Sequence, residues 1–349
     1  MSTDLAAEGI GDAPGIVVIV AQVSDRPTIR DVAREAGVSI ATVSRALNDK
    51  DDVSVETRER VRRAARDLRY TVDASARALG SQRTRLVAVL VGDNAGPRDM
   101  SLIFFGKVLA AISRRLGQQG YEPLLLSERE RPGHRFDAAI VIGVDGDDPL
   151  IDELAQRHVP LVGVDVRCGV GRAAFVGSDH AGGVRLALAH LHSLGHRRIA
   201  HIAGARNITA GAERLEAFRS EGERLGLELP DDYVRDGDFS SASGYRETCE
   251  LLALGEPPTA IVAASDLMAL AALQAIWESG RRPGRDVAVV GFDDLEAAAL
   301  AHPPLTTIRQ DRHELGAVAA ARAIELIENP ETTPQESVLP VELVVRASS

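Results

Sequence analysis

From Leu86 onward, short runs that are apolar throughout alternate with stretches of helical period. Candidate strands are Leu86–Val91, Pro123–Leu126, Ala138–Ile142, Pro160–Val164, Ile199–Ile202, Ala260–Ala263 and Val287–Val290. Candidate helices include Gly106–Gln119, Gly182–Leu194, Ala212–Leu225 and Asp266–Ser279. An unbroken apolar run marks a strand buried on both faces, whereas a strand with one wet face alternates. Strands alternating with helices build parallel sheets covered by helices on both sides. The body is therefore expected to be α/β. Open α/β folds hold ligands in crevices beyond the carboxyl ends of their strands. No Walker A motif is present, and no G-x-G-x-x-G joins a strand to a helix.

The segment ahead of this body has a different rhythm. Thr28–Leu47 reads TIRDVAREAGVSIATVSRAL. Ile29, Val32, Ala33 and Ala36 recur at helical spacing. Gly37 stops that helix because glycine accepts the positive φ of a tight turn. Ser39 is a candidate N-cap for a second helix, Ile40–Leu47, whose Val43 packs back with Val38 onto Ala33. Two short helices across such a turn form a helix-turn-helix, whose second helix enters the major groove. The outward residues there are Ile40, Ala41, Ser44 and Arg45. Arg45 suits a guanine edge, and Ile40 and Ala41 suit a thymine methyl. The blander alternative is a helical hairpin with a solvated arginine. Ser54 caps a third helix to about Leu68, with Val61, Ala64, Ala65 and Leu68 as its apolar stripe. Arg58, Arg60, Arg62, Arg63 and Arg66 on its other faces are either a solvated surface or phosphate contacts.

Charge is divided the same way. The whole chain carries −11. Ser24–Arg85 holds 14 Lys and Arg against 10 Asp and Glu, a net of +4, and the first 23 residues hold −3. The remainder therefore carries −12. A basic head on an acidic body is expected when only the head meets phosphates. Cys168 and Cys249 are the only cysteines, which excludes a disulfide scaffold; each is expected to be a small buried hydrophobe. No apolar run is long enough for a membrane span. Ile16–Ala21 resembles the core of a signal peptide, but Asp4, Glu8 and Asp12 precede it without a Lys or Arg, so no export is expected.

Asp31–Asn48 follows the order D-V-A-x-x-A-G-V-S-x-x-T-V-S-R-x-L-N. V-S-x-x-T-R-x-R-V comes next at Val53–Val61, and A-R-x-L at Ala76–Leu79. In these residues the chain resembles the lactose-repressor/galactose-repressor (LacI/GalR) family of transcription regulators. The likeness runs from about Pro27 to the end. It includes LGHRRIAHIAG at Leu194–Gly204, ERLEAF at Glu213–Phe218, SDLMALAAL at Ser265–Leu273, VAVVGFDD at Val287–Asp294 and PPLTTIRQ at Pro303–Gln310. The first 23 residues match nothing in the family.

The resemblance implies an all-α helix-turn-helix head on an α/β body of two parallel-sheet subdomains, like a periplasmic sugar-binding protein. Residues 1–24 would be a disordered extension, 25–71 the head, 72–84 a hinge helix and 85–349 the effector-binding and dimerisation domain. Its first subdomain would take 85–177 and 310–339, its second 178–309 and 340–349, with crossovers near Gly177, Arg309 and Pro340. The implied DNA contacts are Thr28, Ser39, Ile40, Ala41, Thr42, Ser44, Arg45 and Asn48, with Ala76 and Leu79 in the hinge. Leu79 would wedge into the minor groove. The implied effector contacts are Asp165, Arg214, Phe239, Ser265 and Asp293, with Ser265 standing where many members have Asn. Arg214 and Asp293 are expected on loops after strands. The partners implied are palindromic double-stranded operator DNA, a small effector of carbohydrate type and a second copy of the chain, in the cytoplasm, with no cofactor, metal or membrane.

Three alternatives have to be weighed against this. A solute-binding receptor without DNA function is opposed by the head, and an enzyme by the lack of a catalytic constellation. His190, His192, His196 and His201 invite a metal, but His190 and His192 point to different faces of a helix and Gly195 breaks the run. One departure from the family is expected to matter. Only Ser127–Arg135 separates the second and third strands, too short for a normal parallel crossover with its helix. Either that helix is missing or the strand order is altered.

Overall fold

The computed structural model describes residues 27–47, 53–68, 70, 83–92, 98–127, 135–169 and 172–349. The chain divides into two compact units, one ending at Gly80 and one beginning at Ser81.

The first unit holds helices α1 (Ile29–Ala36), α2 (Ile40–Leu47) and α3 (Val55–Asp67). Each begins where a side-chain oxygen accepts from a free N–H group, a carboxylate at α1 and a hydroxyl at α2 and α3. The Thr28 N–H donates to Asp31 Oδ2 at 2.9 Å, Ser39 Oγ accepts from the Thr42 N–H at 3.1 Å, and Ser54 Oγ accepts from the Thr57 N–H at 3.3 Å. Gly37 closes α1 at φ 61°, a left-handed angle that a side chain would strain. The core is built from small residues: Val32, Ala33 and Ala36 of α1, Val43 and Ala46 of α2, and Val61, Ala64 and Ala65 of α3. Small side chains let three short helices approach closely enough to bury what little apolar surface they have.

The second unit contains two six-stranded sheets. In chain order its elements are β1 (Leu86–Val91), α4 (Arg98–Gln118), β2 (Glu122–Ser127), β3 (Ala138–Ile142), α5 (Pro149–Gln156), β4 (Leu161–Val164), β5 (Ala173–Ser178), α6 (His180–Ser193), β6 (Ile199–Ala203), α7 (Thr209–Arg224), β7 (Val234–Asp236), α8 (Ser241–Leu252), β8 (Ala260–Ala263), α9 (Asp266–Glu278), β9 (Ala288–Asp293), α10 (Glu296–Leu300), β10 (Thr306–Gln310), α11 (Arg312–Glu328), β11 (Glu336–Leu339) and β12 (Val341–Val344). The first sheet has the order β11-β5-β4-β3-β1-β2 and the second β12-β10-β9-β8-β6-β7. All pairings are parallel except β10 with β12. The chain passes between the sheets three times: after β5, after β10 and at Pro340 between β11 and β12.

Both faces of each sheet are covered, as the unbroken apolar strands require. In the first, Val87, Val89, Ile140 and Val162 pack on Ile112 of α4 and Leu315 and Ala319 of α11, while Ala88, Leu90 and Val141 pack on Ile151 and Leu154 of α5. In the second, Ile202 and Ile261 face Leu251 of α8 and Met268 of α9, and Val262, Val290 and Ile308 face Leu188 of α6 and Phe218 of α7. Helix α11 thus follows a strand of the second sheet yet covers the first.

Of the two alternatives for the short link between the second and third strands, a parallel connection without the usual helix is the one compatible with the strand pairing. β2 and β3 both pair parallel with β1, one on each side. An extended link needs no helix. It must shift by two strand spacings, about 10 Å, and return along one strand, about 17 Å. Ten extended residues span about 33 Å. Among the described residues of the link there is no helix, and 128–134 lie outside the description.

Candidate functional sites

On the head, the residues expected to meet DNA share one face of α2. Ile40, Ala41 and Arg45 are exposed, Thr42 and Ser44 half-buried, and the opposite face, Val43 and Ala46, is in the core. Thr28 and Ser39 are exposed at the starts of α1 and α2. The order Ser39-to-Thr42 and Thr28-to-Asp31 shows these polar residues also serve as helix starts. Asn48, Ala76 and Leu79 lie outside the described residues.

In the body, Asp165, Arg214, Phe239, Ser265 and Asp293 all line one cavity between the two sheets. The first subdomain contributes Phe104, Phe105, Val164 and Asp165, and the second contributes Ile208, Ala210, Leu267 and the remaining predicted residues. The mix of its lining is that of a small-molecule site: mostly apolar walls with a few placed polar groups.

Arg214 corrects one expectation. It sits in the second turn of α7, not on a loop. Its guanidinium lies 3.7 Å above the Phe292 ring centroid, donates from Nη1 to the Ala264 carbonyl, and has Nη2 3.2 Å from His180 Nδ1. Nε has no protein partner. Asp293 departs from the same expectation, being the last residue of β9 rather than part of the loop after it; its Oδ1 accepts from Gln310 Nε2 at 2.6 Å, while Gln310 Oε1 is unpartnered. Arg214 and Asp293 are 3% and 6% exposed, so they are not an ordinary surface pair. Asp165 Oδ1 accepts from the Ser178 N–H at 3.2 Å and faces His180 Nε2 at 2.9 Å. Ser265 caps α9, its Oγ accepting from the Met268 N–H at 3.4 Å.

Two physical signs set this cavity apart. Six described residues other than glycine have positive φ, and three of them, Asp165, Phe239 and Asp293, line it. Strained backbone of this kind concentrates at binding and active sites. The charges are also unevenly held. Burial pushes the Asp293 carboxyl up, against the pull of Arg214, and pushes Asp266 beneath it up as well, with Asp293 adding to the effect. Burial works against Asp165 too, but there His180 and Arg214 prevail and hold its carboxyl below the usual range. At the margins, Arg167 pairs with Glu213 at 3.1 Å and Lys107 with Glu296, each joining one subdomain to the other.

Residues 28–73 match the family described as bacterial regulatory proteins, lacI family, and residues 188–349 match a periplasmic binding protein-like domain. The transcriptional regulator CelR of Thermobifida fusca is 37% identical over 93% of this chain and 98% of its own length. The lactose operon repressor of Escherichia coli K12 is 34% identical over 92% of this chain and 90% of its own. Among solved structures, a lac repressor dimer bound to operator and the anti-inducer ONPF superposes with TM-score 0.82 at 33% identity, covering 93% of this chain and 99% of that one. A CelR–cellobiose complex superposes at 0.71 and 35% identity, covering 93% and 100%. The chain belongs to the lacI family of bacterial regulatory proteins.

This lacI-family chain is a DNA-binding transcription regulator with a helix-turn-helix head and an effector-sensing α/β body. The receptor alternative, a solute binder without DNA function, is overturned by the match over the head and by relatives that are transcription regulators. Those relatives are not enzymes either. No described helix is long and apolar enough to cross a membrane. The histidines have separate structural partners: His190 Nε2 meets Ser349 Oγ, His196 Nδ1 meets Thr259 Oγ1, both at 2.9 Å, and His201 Nδ1 meets the Val262 carbonyl at 2.8 Å. Cys168 is partly buried, and burial pushes its thiol up to about 11. Cys249 departs from expectation: it is exposed on α8, because the buried face of that helix carries Thr248, Leu251 and Leu252 instead.

Sequence reasoning missed Phe104, Phe105, His180 and Gln310. The aromatic pair lies in the helix that follows β1, where α/β folds place ligands, and that position was a usable signal. Gln310 and His180 adjoin crossovers, and only the three-dimensional path of the chain brings them against Asp293, Asp165 and Arg214 of the cavity wall.

Proposed function

We propose that this regulator is a homodimeric repressor that binds a palindromic operator and whose grip on DNA changes when a small carbohydrate fills the cavity between its subdomains. It acts in the cytoplasm and has no catalytic activity. Arg45, Ile40, Ala41 and Ser44 read base edges. Thr28, Ser39, Thr42 and Asn48 complete the contact of the head, and Ala76 and Leu79 that of the hinge. Asp165, Arg214, Phe239, Ser265 and Asp293 hold the effector.

The observation that carries this reading is the cavity itself. It sets a buried guanidinium, a buried carboxyl group and a second, partly buried one among aromatic walls. A sugar presents hydroxyls that both donate and accept around a ring with an apolar face, so it can use all of these at once. The unpartnered Nε of Arg214, a residue of the cavity wall, fits a polar ligand as well, since buried polar atoms are rarely left unsatisfied. The CelR structure is a cellobiose complex, which makes cellobiose the first sugar to test. Because the cavity has walls in both subdomains, a ligand that contacts both favours one arrangement of the two, and that preference is what shifts operator affinity.

The test is a thermal-shift screen of cellobiose and other sugars, followed by gel shifts on operator DNA with each stabilising compound. Arg214→Ala and Asp293→Ala should keep operator binding and lose the response to the ligand. A compound that stabilises these variants as much as the parent would place the effector elsewhere.

A further inference from the structure

His180 belongs to none of the roles assigned above, yet it is 1% exposed and touches two of the charged residues of the cavity. It opens α6, immediately after the first passage of the chain between the sheets. Asp165 follows β4 of the first sheet, and Arg214 belongs to α7 on the second. The imidazole lies between them.

The proton positions follow from the partners. A guanidinium has only donors. Arg214 Nη2 lies 3.2 Å from His180 Nδ1, so Nδ1 must accept and bear no proton. The single proton of the neutral ring is then on Nε2, which donates to Asp165 Oδ1 at 2.9 Å. Each neighbour thus fixes the same tautomer, Asp165 by accepting and Arg214 by donating. The seat is built for this contact. Asp165 has φ 52°, and a Cβ on Gly177 would stand 2.7 Å from Asp165 Oδ1, so only glycine leaves room for the carboxylate. On the other side the imidazole is 6.0 Å from the Phe292 ring, the same ring on which Arg214 lies.

We propose that His180 is a positioning residue that ties the effector arginine of the second subdomain to Asp165 of the first, so that Arg214 is aimed into the cavity only while Asp165 is in reach. A swing of the subdomains that parts Asp165 from His180 frees the ring to turn, and Arg214 then loses one of its two polar anchors. The relay converts the relative position of the subdomains into the pose of a ligand-binding group. Its ligand arm rests on the carbohydrate reading above, but its hydrogen-bond chemistry does not.

Two measurements on the full-length protein test it. In protein labelled with 15N-histidine, long-range proton–nitrogen spectra report which ring nitrogen is protonated, and His180→Phe identifies the signal. The expected result is the Nε2–H tautomer, with a shifted Nδ1 resonance in Arg214→Met. An Nδ1–H tautomer in the parent overturns the proposal. In cellobiose calorimetry, His180→Phe should weaken binding roughly tenfold, the loss of one hydrogen bond to a charged group. His180→Asn restores an acceptor near Nδ1 but is too short for Asp165, and it should recover most of that affinity while blunting the change in operator binding. Equal affinity in all three proteins, each shown by its melting curve to be folded, overturns the proposal. If the parent does not bind cellobiose, the carbohydrate reading is what fails, and the tautomer decides the relay alone.

Discussion

His201 offers a quantitative test of how the second subdomain is built. It lies within β6, 0% exposed, its ring stacked 4.8 Å from Phe218. Nδ1 donates to the Val262 carbonyl at 2.8 Å, and Nε2 has no partner. A second proton would therefore have to sit on a buried nitrogen with no acceptor, near Arg214 and Arg219. Burial lowers the group from 6.5 to about 4. The sign follows. Above 6.5 the ring is neutral whether the chain is folded or not, and the folded state keeps its full stability. As pH falls below that value the unfolded chain takes up a proton that the folded chain refuses, and stability is lost until the pH reaches the folded value. The loss amounts to roughly 2 kcal/mol at pH 5 and about 3 kcal/mol at pH 4. Asp266 and Asp293 act in the opposite sense, because burial raises both, so the comparison must be between variants. His201→Leu, or His201→Phe if the leucine variant folds poorly, should show a constant offset from the parent at pH 7 and above and a smaller loss on acidification. Urea denaturation from pH 8 to pH 4.5 measures it. Parallel pH curves for parent and variant would refute the argument.

Three further outcomes are expected. Arg45→Ala should cost about 1–3 kcal/mol at the operator and relax preference at one base pair in each half-site; a uniform loss across single-base operator variants would make Arg45 a phosphate contact instead. Leu79→Ala should weaken specific DNA binding while the dimer and effector binding persist, since a wedge that bends the duplex acts only on DNA; unchanged operator affinity counts against it. Because burial raises the Asp293 carboxyl, a proton competes with an effector hydroxyl that donates to the carboxylate, so affinity should fall on moderate acidification, and Asp293→Asn should flatten that dependence; calorimetry at several pH values would reveal an unchanged slope if the reasoning is wrong.

The parts of the molecule legible in the sequence are those that obey local rules. Ser39 and Ser54 precede their helices, Gly37 ends one, and the apolar runs at Leu86–Val91 and Ala138–Ile142 coincide with strands in the structure. Strands β10 and β11 were not marked because their residues are mixed: Thr306 and Thr307 are fully buried polar residues, and Glu336–Leu339 is a half-exposed edge. Their burial is decided by neighbours distant in the chain. The link from β2 to β3 was left with two alternatives for a related reason. Its length spoke only against the usual helix, and where β1 lies between its partners is not written in the link itself.

The cavity shows the same division at the level of function. Motif likeness pointed to five residues separated by up to 128 positions in the chain, from Asp165 to Asp293, and all five line one wall or another of it. What likeness could not supply is how their charges are managed. Asp165 and Asp293 are both carboxyl groups of the same cleft, yet one is driven down and the other up. The difference lies in partners, not in residue type. Asp165 faces a ring nitrogen that donates to it, with a guanidinium behind that ring. Asp293 has an amide from Gln310 and a second carboxyl, Asp266, close enough to oppose its charge. A ligand hydroxyl arriving at Asp293 therefore meets a group whose charge it helps to hold, whereas one arriving at Asp165 meets a charge already committed to His180. On the proposed reading, Asp293 is accordingly the position where a ligand would change the protein most, and Asp165 the position where the protein's own arrangement would decide whether the ligand is held.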